Sequence, residues 1–299
     1  MKYLARKVLM VEPRDFHSNP ETLRDNSFQQ DSSDSSNLNT KASQEFYALK
    51  KLLETNGISV QSYSQTDEHS TPDAIFPNNW FSTHPDGTFV LYPMKAFNRR
   101  LEKRVELIKE LQKNYPAQKD FSEYESHDHF LEGTGSLVLD HENHIAYAAL
   151  SQRTHPEVLK EWSKQMNYQL ITFHALDNAA QIVYHTNVVM TVGEGFAIVC
   201  TDSIRETEER STVRQSLEKS RHEIIEISPV QMHNFCGNCL ELENHSGKKI
   251  LVMSTRAFEA FDNDQKARIE KYATIVHCHL STIETHGGGG ARCMIAELF

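Results

Sequence analysis

Apolar positions recur along the chain in two alternating rhythms. Residues 6 to 12, Arg-Lys-Val-Leu-Met-Val-Glu, make a short apolar run of buried-strand length. Ala42, Phe46, Leu49 and Leu53 then fall on one helical face that Gly57 ends, and Ile58 to Tyr63 returns to a strand pattern. Thr88 to Tyr92 reads as a strand, followed by a helical stripe at Leu101, Val105, Ile108 and Leu111. Ser136 to Asp140 and His144 to Ala148 read as paired strands ahead of a helix carrying Val158, Leu159 and Trp162. Strands follow near 168 to 174, 186 to 192 and 196 to 200, then a polar helix near 204 to 219 and strands near 223 to 227 and 249 to 253. A helix near 263 to 272 leads to a strand at Ala273 to Cys278 and to an apolar end, Cys293 to Phe299, that predicts a terminal core strand.

This alternation predicts a mixed α/β (α+β) fold. No Pro- or Gly-rich linker divides the chain, so residues 1 to 299 read as one domain, and no repeated identity is visible between successive units. Pro13 to Lys41 lacks a periodic apolar face and reads as a long loop; a lid and a disordered stretch at Asp31 to Asn39 both fit it.

Charge and cysteine content narrow the class of function. The 31 Lys and Arg against 41 Asp and Glu leave a net charge of −10, which argues against nucleic acid and anionic membrane and for a small-molecule substrate. Cysteines at 200, 236, 239, 278 and 293 are odd in number and irregular in spacing, as expected in a reducing cytoplasm. The N-terminus carries no apolar signal-peptide core, and no run reaches membrane-spanning length. Oligomeric state has no signature in the chain.

Several stretches carry candidate chemistry. Gly287 to Gly290 allows close backbone approach to a ligand and leads directly to Arg292 and Cys293; an incidental buried thiol and an activated nucleophile are both consistent with it. Asp73 to His84 contains Pro77-Asn78-Asn79, readable as a plain turn; Glu132-Gly133-Thr134-Gly135 is readable as a surface turn; His185 enters an apolar strand, where a core histidine is the ordinary reading. Cys236-Gly237-Asn238-Cys239 lacks a second pair for zinc, and His127/His129 and His277/His279 alternate faces if extended. Gly287 to Gly290 is no phosphate loop, and nothing in the chain calls for a nucleotide, flavin, metal or other cofactor.

Taken together, these motifs resemble a known set. Gly-Gly-Gly-Gly-Ala-Arg-Cys-Met resembles the C-terminal nucleophile motif of the guanidine-group-modifying superfamily, which includes arginine deiminase, dimethylarginine dimethylaminohydrolase and the amidinotransferases. Phe16, Asn19, Glu21, Thr22, Asn26, Phe28 and Gln29 resemble the opening motif of its citrulline utilisation hydrolase branch. The resemblance implies a five-bladed β/α propeller with Cys293 as nucleophile, His185 as acid and base, and Glu132 orienting His185. It also implies that Asp73 and the positions of Asn79 and Asn187 face the substrate head, and that Arg99 or Arg100, with Arg153 of the Ser-x-Arg-Thr motif, bind its α-carboxylate.

Two positions depart from the deiminase pattern. Where a deiminase places carboxylates, this chain has Asn79 and Asn187. An amide both donates and accepts, so two amides suit a neutral ureido group better than a guanidinium that only donates. The expectation is therefore a cysteine hydrolase converting citrulline to ornithine, carbon dioxide and ammonia. Arginine deiminase, arginine dihydrolase and dimethylarginine hydrolase are the alternatives within the superfamily, and a non-catalytic propeller-fold binding protein is the alternative outside it.

Overall fold

One unit, a hairpin followed by a helical crossover to a parallel strand, recurs around the molecule. The computed structural model describes residues 3–31, 37–64 and 69–299. In it β1 (Lys7–Glu12) crosses through the helix Leu38–Thr55 to β2 (Ser59–Ser64). The hairpin β3 (Phe81–Thr83) and β4 (Thr88–Leu91) crosses through Val105–Gln112 to β5 (Ala117–Asp120). β6 (Val138–Asp140) and β7 (Ile145–Ala149) cross through Pro156–Met166 to β8 (Gln169–Phe173). β9 (Met190–Gly193) and β10 (Phe196–Val199) cross through Thr207–Lys219 to β11 (Glu223–Glu226). β12 (Leu240–Glu243) and β13 (Lys249–Ser254) cross through Thr255–Ala260 and Asn263–Ile269 to β14 (Thr274–Cys278).

The first unit is completed from the other end of the chain. β15 (Ala296–Leu298) pairs antiparallel with β1, so five three-stranded sheets result, each with a middle strand antiparallel to one neighbour and parallel to the other. These are the blades of a five-bladed β/α propeller. The terminal strand also ties the first blade to the second: Thr83 Oγ1 donates to the Glu297 carbonyl at 2.9 Å and accepts from the Phe299 N–H at 3.1 Å.

Middle strands such as Ile145–Ala149 and Phe196–Val199 are buried at every residue, which is why they read as continuous apolar runs. The crossover helices bury a single stripe, for example Val158, Leu159, Trp162 and Met166. That helix starts at Pro156, whose fixed φ suits the first turn, and ends at Asn167 in the left-handed region. Among the described residues no helix is long and apolar enough to cross a membrane.

Several element boundaries differ from expectation. Val105 is exposed, and the helix there buries Leu107 beside the expected Leu111. Residues 186–189, expected in a strand, form a helical turn ahead of β9, and Gly133–Ser136 does the same ahead of β6. The terminal strand covers only Ala296–Leu298, which leaves Cys293 in a turn. β3, β5 and β12 had no sequence signal: β3 is three residues long, and β5 is polar and mostly exposed. Of the stretch read as lid or disorder, residues 32–36 lie outside the described residues, and the helix begins at Leu38.

Candidate active site

Each blade's first strand is entered through a tight turn, and these turns meet near the propeller axis. They are Pro77–Asn79 before β3, Gly133–Ser136 before β6, Thr186–Val189 before β9, residues 235–239 before β12 and residues 291–294 before β15. Side chains stitch neighbouring turns together. Asn78 Nδ2 donates to Thr134 Oγ1 at 3.2 Å, and Asn238 Nδ2 donates to the Asn187 carbonyl at 3.0 Å. A pseudo-fivefold scaffold thus delivers one short polar segment per blade to one place, although those segments are far apart in sequence.

The cavity so formed is lined by Asp73, Asn79, Arg99, Arg153, His185 and Cys293, with Phe76 and Tyr184 as aromatic walls. Glu132 stands behind His185, its Oε2 2.9 Å from His185 Nε2. That contact fixes the imidazole edge and, in the neutral ring, places the proton on Nε2. Asn187 meets the thiol with its amide, Nδ2 donating to Cys293 Sγ at 3.5 Å. A further donor had not been expected: Asn238 Nδ2 lies 3.2 Å from the same sulfur. Its sequence signal was the Gly-Asn pair just before β12, which matches the placement of Thr186-Asn187 before β9 but was masked by the surrounding C-x-x-C spacing. Cys236 and Cys239 themselves are buried free thiols that turn to backbone carbonyls, Ala257 O at 3.4 Å and Cys236 O at 3.3 Å.

Of the neighbouring Arg99 and Arg100, one of which was expected at a carboxylate, Arg99 lines the cavity and Arg100 does not. Arg99 is buried and directs its donors inward, Nε to Glu102 Oε1 at 2.9 Å, Nη1 to Asn79 Oδ1 at 2.8 Å and Nη2 to the Phe76 carbonyl at 3.1 Å. Arg100 lies outside the cavity, bonded through Nε to the Met94 carbonyl at 2.9 Å and facing Glu125. Its position in the turn Phe97–Arg100 points it away from the site that Arg99 enters. Arg153 is buried at the cavity wall, paired with Asp25, with its guanidinium 4.9 Å from the Tyr184 ring centroid.

Electrostatics follow from this packing. Burial alone would raise the Glu132 carboxyl, but Arg153, the His185 hydrogen bond and Arg99 outweigh it and hold the group well below the usual carboxylate range. Burial pushes His185 down to about 4, with Arg153 and Arg99 adding to the shift against the pull of Glu132. Burial also raises the Cys293 thiol, an effect only partly relieved by the Asn238 hydrogen bond and by Arg292. At neutral pH the cavity therefore holds a neutral thiol and a neutral imidazole.

Two glycines give the site its room. A Cβ on Gly135 would stand 2.5 Å from Asn79 Nδ2 and 2.7 Å from His185 Nδ1, so only a residue without a side chain allows both groups their positions. Gly288, at φ 68, ends the helix Ser281–Gly287 and turns the chain toward Cys293. Gly135→Ala is expected to lower kcat/KM by about 10²-fold or more, since a small misplacement of reacting groups is costly. Circular dichroism should show the fold retained; a variant with parental activity would mean that the tight packing at Gly135 does not matter to turnover.

Above the cavity, the loop after β1 is held by its own hydrogen bonds. Asn19 Nδ2 and Thr22 Oγ1 donate to Asp73 Oδ2 at 2.7 and 3.0 Å, and Gln29 Nε2 donates to the His286 carbonyl at 2.8 Å. Two buried polar atoms of the lining have no partner among the described residues: Asp73 Oδ1, an acceptor, and Asn79 Nδ2, a donor. Buried polar atoms without partners mark the place where a ligand would complete the network.

The family model described as N,N dimethylarginine dimethylhydrolase, eukaryotic, matches residues 12–299. No curated protein matches the chain by sequence. Among solved structures, apo ArgZ, an arginine dihydrolase from the ornithine-ammonia cycle in cyanobacteria, superposes with a TM-score of 0.76 at 15% identity, over 97% of this chain and 40% of its own. The chain thus spans well under half of full-length ArgZ. The N-terminal domain of ArgZ bound to product gives 0.77 at 15% identity, over 98% of this chain and 97% of that domain. A dimethylarginine dimethylaminohydrolase in adduct with S-methyl-L-thiocitrulline gives 0.65 at 14% identity, over 99% and 100% of the two chains. At these identities the likeness is one of fold.

Proposed function

The chain belongs to the N,N dimethylarginine dimethylhydrolase family of the guanidine-group-modifying superfamily, and from that premise we propose a cysteine-dependent hydrolase that cleaves C–N bonds at the guanidino or ureido carbon of a small amino acid. Within this class our reading is hydrolysis of a ureido group, with citrulline as substrate, although the relatives are named for arginine and dimethylarginine activities. The observation that carries it is the pair of unpartnered atoms in the lining, Asp73 Oδ1 and Asn79 Nδ2. One accepts and the other donates, because Arg99 occupies the Asn79 carbonyl oxygen. A ureido group offers both an N–H donor and a carbonyl acceptor, whereas a guanidinium has no acceptor for Asn79. Asn187 and Asn238 likewise present amide donors beside the sulfur.

The chemistry follows from the protonation states. His185 takes the thiol proton as Cys293 Sγ bonds to the ureido carbon, and the carbonyl electrons move onto oxygen, where amide N–H groups receive the charge. The C–N bond then breaks as His185 returns the proton to the leaving nitrogen. Water, deprotonated by His185, cleaves the resulting thiocarbamate and frees the sulfur. The released carbamate loses carbon dioxide, so citrulline and one water give ornithine, carbon dioxide and ammonia. Arg153, beside Tyr184 at the wall, is the guanidinium suited to the α-carboxylate; Arg99 instead sets the orientation of Asn79.

A second reading is arginine dihydrolysis. Asp73 Oδ1 suits a guanidinium N–H, and a ureido compound would then arise in the same cavity as the first product. Separate incubations with citrulline, arginine and asymmetric dimethylarginine, followed for ornithine, citrulline, ammonia and dimethylamine, distinguish these. The reading predicts ornithine and ammonia from citrulline. Dimethylamine from dimethylarginine with citrulline left unconsumed would contradict it and support the activity after which the family is described.

The pH profile is a separate check. A base held down at about 4 by burial stays neutral through the mildly acidic range. Activity should fall only when His185 becomes protonated, so the acid limb of kcat/KM is expected well below the ordinary histidine value of about 6.5. An acid limb at or above that value would contradict a buried neutral base.

A further inference from the structure

On the outer surface, away from the cavity, two histidines from different segments stack face to face. The His129 and His155 rings lie 3.7 Å apart between centroids at 10°. Glu157 completes the group, its Oε2 3.2 Å from His129 Nδ1, and one donor atom from each of the three residues falls within 4.8 Å of the others. Among the described residues no other group of three or more His, Cys, Asp or Glu meets that geometry. We infer that His129, His155 and Glu157 form a surface site for a divalent transition metal ion of the zinc type.

The backbone holds the three residues in place without the metal. The His155 N–H donates to the Phe130 carbonyl at 2.7 Å, the His129 N–H donates to the Tyr124 carbonyl at 3.1 Å, and Leu131 bridges to Thr154 between them. His155 and Glu157 flank Pro156, the rigid start of the helix Pro156–Met166. Neighbouring ligand atoms around a tetrahedral zinc sit about 3.4 Å apart, so side-chain rotation alone can close the set. Two imidazoles and one carboxylate match the donor preference of zinc and its late first-row neighbours, with solvent in the fourth position.

Such an ion would join the segment that continues into Glu132 to the one that follows Arg153. None of the three residues lines the cavity that holds the thiol, and occupancy can be measured without any turnover. The test uses tag-free full-length protein carrying Cys293→Ser, so that the cavity sulfur cannot bind metal, with cobalt(II) absorbance and zinc calorimetry as readouts. One ion per chain is expected, with cobalt absorption of low-coordinate intensity. His129→Ala, His155→Asn and Glu157→Gln should each weaken binding by at least about tenfold. Asparagine is chosen at 155 because it preserves a helix N-cap while removing the imidazole. Absence of binding by the parent protein, or unchanged affinity in any of the three variants, would overturn the site.

Discussion

Replacing Cys293 by alanine is expected to lower kcat/KM on the preferred substrate by at least about 10⁴-fold, since no other group in the cavity can form the covalent bond. The expected loss is chemical and not structural. The side chain is small and 3% exposed, and its polar contacts are long amide-to-sulfur interactions that alanine gives up at little cost. Thermal unfolding of the variant should stay within a few degrees of the parent. Activity within about tenfold of the parent would rule out Cys293 as nucleophile, whatever the state of the fold.

The largest stability effect is expected at Arg99→Met. Arg99 is 2% exposed and neutralises the equally buried Glu102 while it holds the Asn79 carbonyl and the Phe76 backbone. Removing one partner of a buried ion pair leaves the other charge unpaired and costs about 3–5 kcal/mol. That corresponds to a fall in Tm of roughly 5–15 °C. The pH dependence has a definite sign. Burial already raises Glu102 to about 7, against the lowering effect of Arg99, and loss of the guanidinium raises it further. A carboxyl whose folded pKa lies above its unfolded value binds more protons when folded, so stability falls as pH rises from the unfolded pKa through the folded one. The Tm difference between variant and parent should therefore stay level from pH 5 to about pH 7 and widen above it; a difference that stays constant above pH 7 as well would mean that Glu102 is not the group left unpaired.

The propeller was legible only in part. Stripes such as Ala42, Phe46, Leu49 and Leu53 announced their helices because each helix buries one face against a sheet. Fully buried middle strands announced themselves as apolar runs. The short first strands did not, because three or four residues carry too little period, and the turns before them look like ordinary Gly and Asn loops until they meet around an axis. Closure of the first blade by β15 could not be read from local pattern, since the pairing joins the two ends of the chain.

The cavity was legible through motifs more than through physics. Cys293, His185 and Glu132 lie far apart in sequence, and each alone reads as an ordinary core thiol, core histidine or turn carboxylate. Arg99 and Arg100 were indistinguishable as neighbours. The helical turn Phe97–Arg100 separates them, burying one among Glu102, Asn79 and Phe76 and leaving the other at Met94 and Glu125. Asn238 carried no charge and sat in a stretch readable as a core turn, so its approach to the sulfur became visible only once the fourth and fifth turns were in contact.

The central claim, that the sulfur of residue 293 bonds to a ureido carbon, is tested most directly by acid-quenching the enzyme during turnover of citrulline and mapping the adduct by peptide mass spectrometry. The account predicts a carbamoyl or ornithine-carbamoyl group on Cys293 that disappears when substrate is exhausted. Turnover of citrulline with Cys293 unmodified throughout, or with Cys293→Ala still active, would contradict it.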